Sequence, residues 1–438
     1  MRIAHIVAGA GGMYCGSCLH GNSLANAMRA AGQDVVLVPA YTPLRTDEND
    51  ASLNRVVLGG VNVYLQHRWA FFRKVPWFFD RILDHPGLLR WFGKRGTSTK
   101  PEKLGSLTLS MIQGEEGRQR RELLKLARWL KRDIRPRLVH LSNVMLVGTA
   151  RLLAEELDVP VVSTLNGEDA FIERLAEPHY TMVRDELRKR CGDLHSFMAM
   201  SRYSADFMAE YLDVSRDKIH VVRPGLNLQG HGDARRAEQS DASLRKTVTV
   251  GFLSRICPEK GLHRLAEAFA QLAGEKNLPP LHLRAAGFLR PGDRPYLDGI
   301  VAGLKNKGIA QQFEYMGELD RAGKIRFLQS LDAMCLPSLR AESKSLAVLE
   351  AWANGVPVVL PDHGPFPEMV EDTRGGLLYE ADNPASLAAR LKQMILEPAA
   401  AARYGRQAQE VVRQRYNAPL MAEKIAAWYK EVLAGCEC

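Results

Sequence analysis

The 438-residue sequence predicts an α/β protein built as two Rossmann-like, doubly wound domains facing each other across a cleft. Three observations carry this. Short apolar runs alternate with helical patterns along most of the chain, the signature of parallel sheets covered by helices. The alternation stops once, between 226 and 246, where Gly, Asp, Ser, Gln and charge replace apolar periodicity, and then begins again. The length also exceeds what one hydrophobic core organises.

The elements follow in order. Ile3 to Val7 reads as a buried first strand rather than a signal peptide, because its apolar stretch is short and runs into glycines instead of a cleavage site. Ser23 to Ala31 is a helix closed by Gly32, and Asp34 to Pro39 the next strand. Leu138 to Leu141, Val159 to Thr164 and Phe197 to Met200 continue the strands, with helices over Gly148 to Leu157 and Arg202 to Leu212. The second series has strands at Thr247 to Leu253, Leu281 to Ala286, Phe313 to Met316, Ala333 to Leu336 and Val356 to Leu360. Helices near Leu262 to Ala273, Pro295 to Lys307 and Lys324 to Leu331 separate them, and Pro384 to Leu396, Ala400 to Arg415 and Pro419 to Ala434 finish the chain. The domains expected are 1–225, a linker at 226–246, 247–415, and a last helix from 416 to 438.

Composition narrows the classes. Charged residues make up 25% and hydrophobic residues 46%, the balance of a globular protein, and no run of about 18 apolar residues suits a membrane span. Seven cysteines, odd in number and scattered, fit reduced thiols in a cytoplasm better than a disulfide framework. Cys15-Gly16-Ser17-Cys18 has the spacing of a redox or metal pair, but no second pair stands at zinc-ribbon spacing, so small residues lining a glycine-rich loop is the plainer reading. The formal net charge is +9, and residues 1–225 hold 32 Lys and Arg against 25 Asp and Glu, so the basic excess lies in the first half. No Asp-x-Asp pair and no His/Cys cluster with ligand spacing occurs, and no metal is expected.

The densest chemistry lies at Ala341-Glu342-Ser343-Lys344-Ser345-Leu346-Ala347-Val348-Leu349-Glu350. A strand, a Ser-rich turn and a helix start offer backbone N–H groups and the positive end of a helix dipole to a phosphate. Two carboxylates flanking that site repel phosphate but accept hydroxyls, which suggests a ligand with hydroxyls on both sides of its phosphates, such as a nucleotide sugar. If Leu346 to Glu350 is helical, about 1.5 Å per residue puts Glu350 roughly one turn inside, where it can face ribose hydroxyls, while Glu342 in the loop either faces the sugar or only complements the helix dipole. Arg255 and Lys260 flank another strand-to-helix loop, where a guanidinium and an ammonium can converge on a pyrophosphate. By themselves they are also readable as two solvated loop cations.

Taken together these pieces resemble family 4 (group 1) of the retaining glycosyltransferases, which have the GT-B fold. The matching stretches are Val250-Gly251-Phe252-Leu253-Ser254-Arg255, Pro258-Glu259-Lys260-Gly261, Ala286-Gly287, Tyr315-Met316-Gly317, the two-glutamate segment, Ala353-Asn354-Gly355-Val356-Pro357-Val358-Val359, Gly364-Pro365-Phe366-Pro367-Glu368-Met369-Val370 and Gly375-Gly376-Leu377-Leu378. The resemblance implies a hexosyltransferase that moves a sugar from a nucleotide diphosphate sugar, held by the second domain, to a hydroxyl-bearing acceptor on the first. It also implies that the last helix crosses back to the first domain. Lipid-linked and polysaccharide acceptors both stay open, and a non-catalytic nucleotide-sugar or carbohydrate-binding relative is the alternative. The expected donor-side residues are Arg255, Lys260, Glu350, Ser343, Lys344, Ser345, Leu346, Gly11, Gly12 and Gly287, with Glu342 and Asn166 at the reacting sugar.

Two departures from the family pattern stand out. Ser343-Lys344-Ser345 replaces the usual Gly-Phe-Gly, keeping the N–H donors but losing glycine's close approach, and Lys344 either touches the donor or reaches solvent. Asn166 stands where family members carry His; an amide can hold the geometry but cannot take up a proton. In the mechanism the resemblance implies, front-face attack lets the departing phosphate accept that proton, and cleft closure brings Asn166 and the Gly11-Gly12 loop to the sugar. Glu168 and Asp169 either recruit an acceptor hydroxyl or amine or cap the following helix. The run from His67 to Arg95 packs three tryptophans and five phenylalanines among seven Lys and Arg. It reads as an insertion packed on the first domain or lining the acceptor pocket, or as a contact with the inner face of an anionic membrane; single-stranded nucleic acid also meets aromatics with cations, but no nucleic-acid partner is expected.

Overall fold

The computed structural model describes residues 1–9, 15–54, 56–58, 104–232 and 247–436. Gly11, Gly12, the aromatic and basic run 67–95 and most of the expected linker lie outside those residues. The chain divides into two compact units, residues 1–225 with 418–438, and residues 226–417.

The first unit holds a six-stranded parallel sheet in the order β2-β1-β3-β4-β5-β6. Its strands are β1 Arg2–Val7, β2 Asp34–Pro39, β3 Leu138–Leu141, β4 Val161–Thr164, β5 Ser196–Ala199 and β6 Ile219–Val221. The helices are α1 Gly16–Ala30, α2 Gly105–Ile112, α3 Arg120–Trp129, α4 Ala150–Leu157, α5 Asp169–Ile172, α6 His179–Cys191 and α7 Arg202–Leu212. β3, β4 and β5 are buried at every position, as a sheet covered on both faces requires. The strand order reverses between β1 and β3, which pair in parallel with Ile3 beside Leu138 and Ile6 beside Leu141. The last helix, α15 Ala418–Cys436, returns to this unit and buries Met421, Ile425, Trp428, Tyr429 and Val432 against Ile3, Val7, Leu24 and Met28.

The second unit repeats the plan in the order β12-β11-β10-β7-β8-β9. Its strands are β7 Val248–Leu253, β8 Leu281–Ala286, β9 Phe313–Tyr315, β10 Ala333–Cys335, β11 Val358–Pro361 and β12 Gly376–Tyr379. Its helices are α8 Leu262–Leu272, α9 Arg294–Asn306, α10 Arg321–Gln329, α11 Leu346–Ala353, α12 Phe366–Thr373, α13 Pro384–Leu396 and α14 Pro398–Arg415. Here the reversal falls between β7 and β10, whose register places Ala333 beside Val250 and Met334 beside Gly251. Open parallel sheets bind ligands outside the carboxyl ends of their strands at such a reversal. That rule points to the loops leaving β7 and β10.

Several elements were not legible as expected. α1 begins at Gly16 rather than Ser23, because its first turns bury polar side chains instead of an apolar stripe. Asn22 donates to Thr46 Oγ1 and Asn49 O and accepts from the Ala51 N–H, and Ser23 donates to Glu48. The helices α2, α3 and α6 went unassigned, although Leu123, Leu126, Ala127 and Leu130 form a buried i, i+3, i+4, i+7 stripe in and just after α3. In α6 the buried positions are Val183, Leu187, Arg190 and Cys191, and Arg190 interrupts the stripe. It is fully buried because Glu115, Glu186 and Asp193 ion-pair with it. The three-residue β6 and the glycine-led β12 were also missed. Residues 226–232, read as the start of the linker, pack on the second unit: the Leu226 N–H donates to Tyr416 O at 2.8 Å and the Gly232 N–H to Asn354 Oδ1 at 3.1 Å.

Candidate active site

In the second unit the two loops at the sheet reversal touch through backbone. The chain leaves β7 through Ser254, Arg255, Ile256 and Cys257, then makes a single 3-10 turn over Pro258–Lys260. It enters α8 through Gly261 in the left-handed region at φ +76°, where an added Cβ would lie 1.9 Å from Pro337 O. Only glycine allows both that dihedral and that approach. The Leu339 N–H donates to Glu259 O at 2.9 Å, locking the loop after β10 to the turn that carries Lys260.

This docking brings together two residues 82 positions apart. Lys260 Nζ lies 2.5 Å from Glu342 Oε1, with side chains 20% and 11% exposed. Glu350 has the parallel arrangement deeper in: it lies on α11, is buried, and sits with Oε1 2.5 Å from Nζ of Lys324 on α10. Both carboxylates are thus neutralised by lysines, each from a different element. The acids that would repel a phosphate are balanced before any ligand arrives. Arg255 is exposed and enters no side-chain hydrogen bond or ion pair among the described residues, so its guanidinium is a cation available to an anionic ligand. Lys324 was not found from sequence. Nothing local marks it, because only the packing of α10 beside α11 puts it on Glu350.

The helix start itself is as expected. α11 begins at Leu346, and Ser345, buried at the N-cap position, makes no side-chain capping bond. By contrast Ser201, Asp320 and Asn383 cap α7, α10 and α13 with their side chains. Ser343 and Lys344 are half-buried, so Lys344 does not extend freely into solvent. Gly287, at the end of β8, has φ +140°, and a Cβ there would stand 1.8 Å from Ser254 O. It is the position that lets the loops after β7 and β8 close on each other.

In the first unit, Asn166 follows β4 and reaches the end of β3 by donating its side-chain amide to Ser142 O. Its own N–H donates to Glu168 Oε2 at 2.9 Å, and the other carboxylate oxygen accepts from the Val144 N–H at 3.1 Å. Glu168 therefore does not cap the helix that follows it. It caps the 3-10 turn Val144–Thr149 from the loop of the neighbouring strand and holds the Asn166 loop to that turn. Burial raises its pKa to about 7, against the lowering effect of these N–H donors. Asp169 opens α5 and is half-buried. Cys15 stands half-buried at the N-cap of α1, and Cys18 is buried in its first turn. Among the described residues no group of three or more His, Cys, Asp and Glu could hold a metal ion, and no helix is long and apolar enough to cross a membrane.

Beneath the sheet, His5 and His140 stack at 4.5 Å and lie 6° from parallel. His140 bonds Tyr429 of α15 through Nδ1 at 2.5 Å and Thr164 through Nε2 at 2.7 Å. Burial holds His5 down to about 4 and His140 well below the usual imidazole value. These rings are neutral packing groups that anchor the returning helix.

Two six-stranded parallel sheets in separate units, the second with charged loops and a helix start at its strand reversal, have the architecture of the GT-B fold found in glycosyltransferases. Residues 234–411 match the family of glycosyl transferases group 1, and residues 106–229 match glycosyltransferase family 4. The glycogen synthase of Mycobacterium tuberculosis (strain ATCC 25618 / H37Rv) is 26% identical over 307 residues, 68% of this chain and 69% of that protein. Among solved structures, sucrose-phosphate synthase from Thermosynechococcus elongatus has a TM-score of 0.71 at 17% identity, covering 99% of this chain and all of that one. Anabaena HepE in complex with UDP has a TM-score of 0.68 at 15% identity over 98% of this chain and 100% of that one. The chain belongs to the group 1, family 4 glycosyltransferases.

Proposed function

We propose that this enzyme transfers a hexosyl group from a nucleoside diphosphate sugar to a hydroxyl-bearing acceptor with retention at the anomeric carbon and without a metal. The observation that carries the donor reading is the pair of lysine-neutralised glutamates beside the uncapped start of α11, with Arg255 exposed nearby. HepE, of the same fold, is solved with UDP, which supports a nucleoside diphosphate here. Arg255, Lys260 and the α11 N–H groups would hold the diphosphate, Glu350 the ribose and Glu342 the sugar. The acceptor oxygen bonds to the anomeric carbon as the bond from that carbon to the phosphate oxygen breaks, and the acceptor proton passes to the departing phosphate. Cations on that phosphate stabilise the charge it gains. Asn166, fixed by Ser142 and the Glu168 brace, would offer a neutral amide at the acceptor side. Residues 67–95 would hold the enzyme at the inner face of an anionic membrane.

Titration calorimetry with UDP, GDP and ADP, followed by turnover of the matching nucleotide sugars in EDTA with NMR of the product anomer, tests this reading. Binding of one nucleoside diphosphate and an anomer matching the donor are expected. Tight binding with no sugar release to any acceptor would favour the non-catalytic alternative, and an inverted product would overturn retention. Flotation with phosphatidylglycerol vesicles tests the membrane contact; failure to float would remove it.

A further inference from the structure

Lys324 takes no part in the donor contacts described above, yet it is among the most confined charges of the second unit. Its side chain is 12% exposed and that of its partner Glu350 9%. A buried ion pair is poor at adding stability, since two apolar side chains of similar volume serve as well. Packing alone therefore does not account for a lysine here. The helix that carries it is firmly held: Asp320 caps it by accepting from the Gly323 N–H, Arg321 donates to Asn227 O and Gln229 O at 2.8 Å each, and Phe327 and Leu328 are buried in the core. Glu350 is fixed from its own side, its carbonyl accepting from Asn354 Nδ2 at 2.9 Å. An ammonium on a rigid helix turn thus meets Oε1 of a carboxylate on another rigid helix turn.

We infer that Lys324 is a positioning residue that aims Glu350 at the vicinal hydroxyls of the donor ribose, an inference that rests on the donor reading above. A carboxylate has about four acceptor sites on two oxygens. An ammonium drawing Oε1 to one side fixes the plane of the group, and with it the direction in which its oxygens accept. Two neighbouring ribose hydroxyls can then donate to it together. With the lysine gone, the carboxylate turns to another donor, and recognition of the second hydroxyl is the first thing lost. The consequence is selectivity for ribose over 2′-deoxyribose, because a buried acceptor built for two hydroxyls is left short by a ligand that brings one.

The test compares binding of UDP, GDP and ADP with their 2′-deoxy forms to the full-length wild type and to Lys324→Met, Lys324→Arg and Lys324→Gln. The wild type is expected to favour the ribose form of its nucleotide by about tenfold or more. Lys324→Met should bring that ratio to within about twofold of one, with a donor KM raised more than kcat is lowered, and Lys324→Arg should restore much of the ratio. If Lys324→Met does not fold, Lys324→Gln, whose amide still donates to the carboxylate, should show an intermediate ratio. A ratio unchanged in the folded variants overturns the inference while leaving the donor reading intact. Absence of any nucleoside diphosphate binding by the wild type defeats the donor reading itself.

Discussion

Replacing Glu168 by Gln should alter the stability of the first unit in a strongly pH-dependent way. The carboxyl titrates near 4.5 when the chain is unfolded and is pushed up to about 7 by burial in the folded protein. Its folded-state pKa is raised, so its contribution is fully present below the unfolded value and is lost as pH rises through the folded one. At about 1.4 kcal/mol for each pH unit between the two values, the wild type should lose about 2.5 kcal/mol between pH 5 and pH 8 from this group alone. The Glu168→Gln variant has no such titration. It costs something fixed instead, because the new amide nitrogen must face either the Val144 or the Asn166 N–H, and one lost acceptor is worth about 1–3 kcal/mol. The variant is thus expected to be less stable than the wild type at pH 5 and close to it at pH 8. Urea titrations read by tryptophan fluorescence in a Trp352→Phe background report on the first unit, since Trp352 is the one tryptophan in the second. Other titrating groups are common to both proteins and cancel. A difference that stays constant from pH 5 to pH 8 would refute the argument that Glu168 carries an ionisation cost in return for bracing Asn166.

Three further outcomes are expected. Gly287→Ala should destabilise the second unit by at least about 2 kcal/mol and weaken nucleotide binding, because its Cβ would overlap Ser254 O; thermal melting against Gly292→Ala, where nothing lies within 4 Å, provides the control. Asn166→Asp sets a carboxylate against Ser142 O and should lower kcat by about tenfold or more with nucleoside diphosphate binding unchanged; equal kcat would show that the amide has no part in transfer. Burial lowers His5 to about 4, so the first unit should lose stability as pH falls through 6.5 towards 4, by about 3 kcal/mol from His5 alone. The slope should diminish in His5→Gln, and hydrogen exchange should show α15 loosening first, through the His140 to Tyr429 bond.

Much of the fold was legible because parallel strands buried on both faces must be short and apolar. β2, β3 and β8 have the bounds read from sequence, as does α7. What escaped were elements whose buried face is polar. The first turns of α1 pair Asn22 and Ser23 with the loop after β2, and α6 buries Arg190 among carboxylates, so neither shows an apolar period.

The sequence by itself determined the α/β class, the two-part organisation and the membership of the chain in its enzyme family. These rest on local patterns: periodicity, glycines at forced turns, and residue types at fixed spacing. Only the tertiary structure decided how the charges are shared. Lys260 and Lys324 had to be brought onto Glu342 and Glu350 by loop docking and helix packing, and Glu168 had to be turned from its own helix to the turn after β3. The physical reason is common to all three. A charge removed from water needs its counter-charge or donor within hydrogen-bonding reach, and in a parallel α/β sheet that partner comes from another strand's loop or another helix, dozens of residues away.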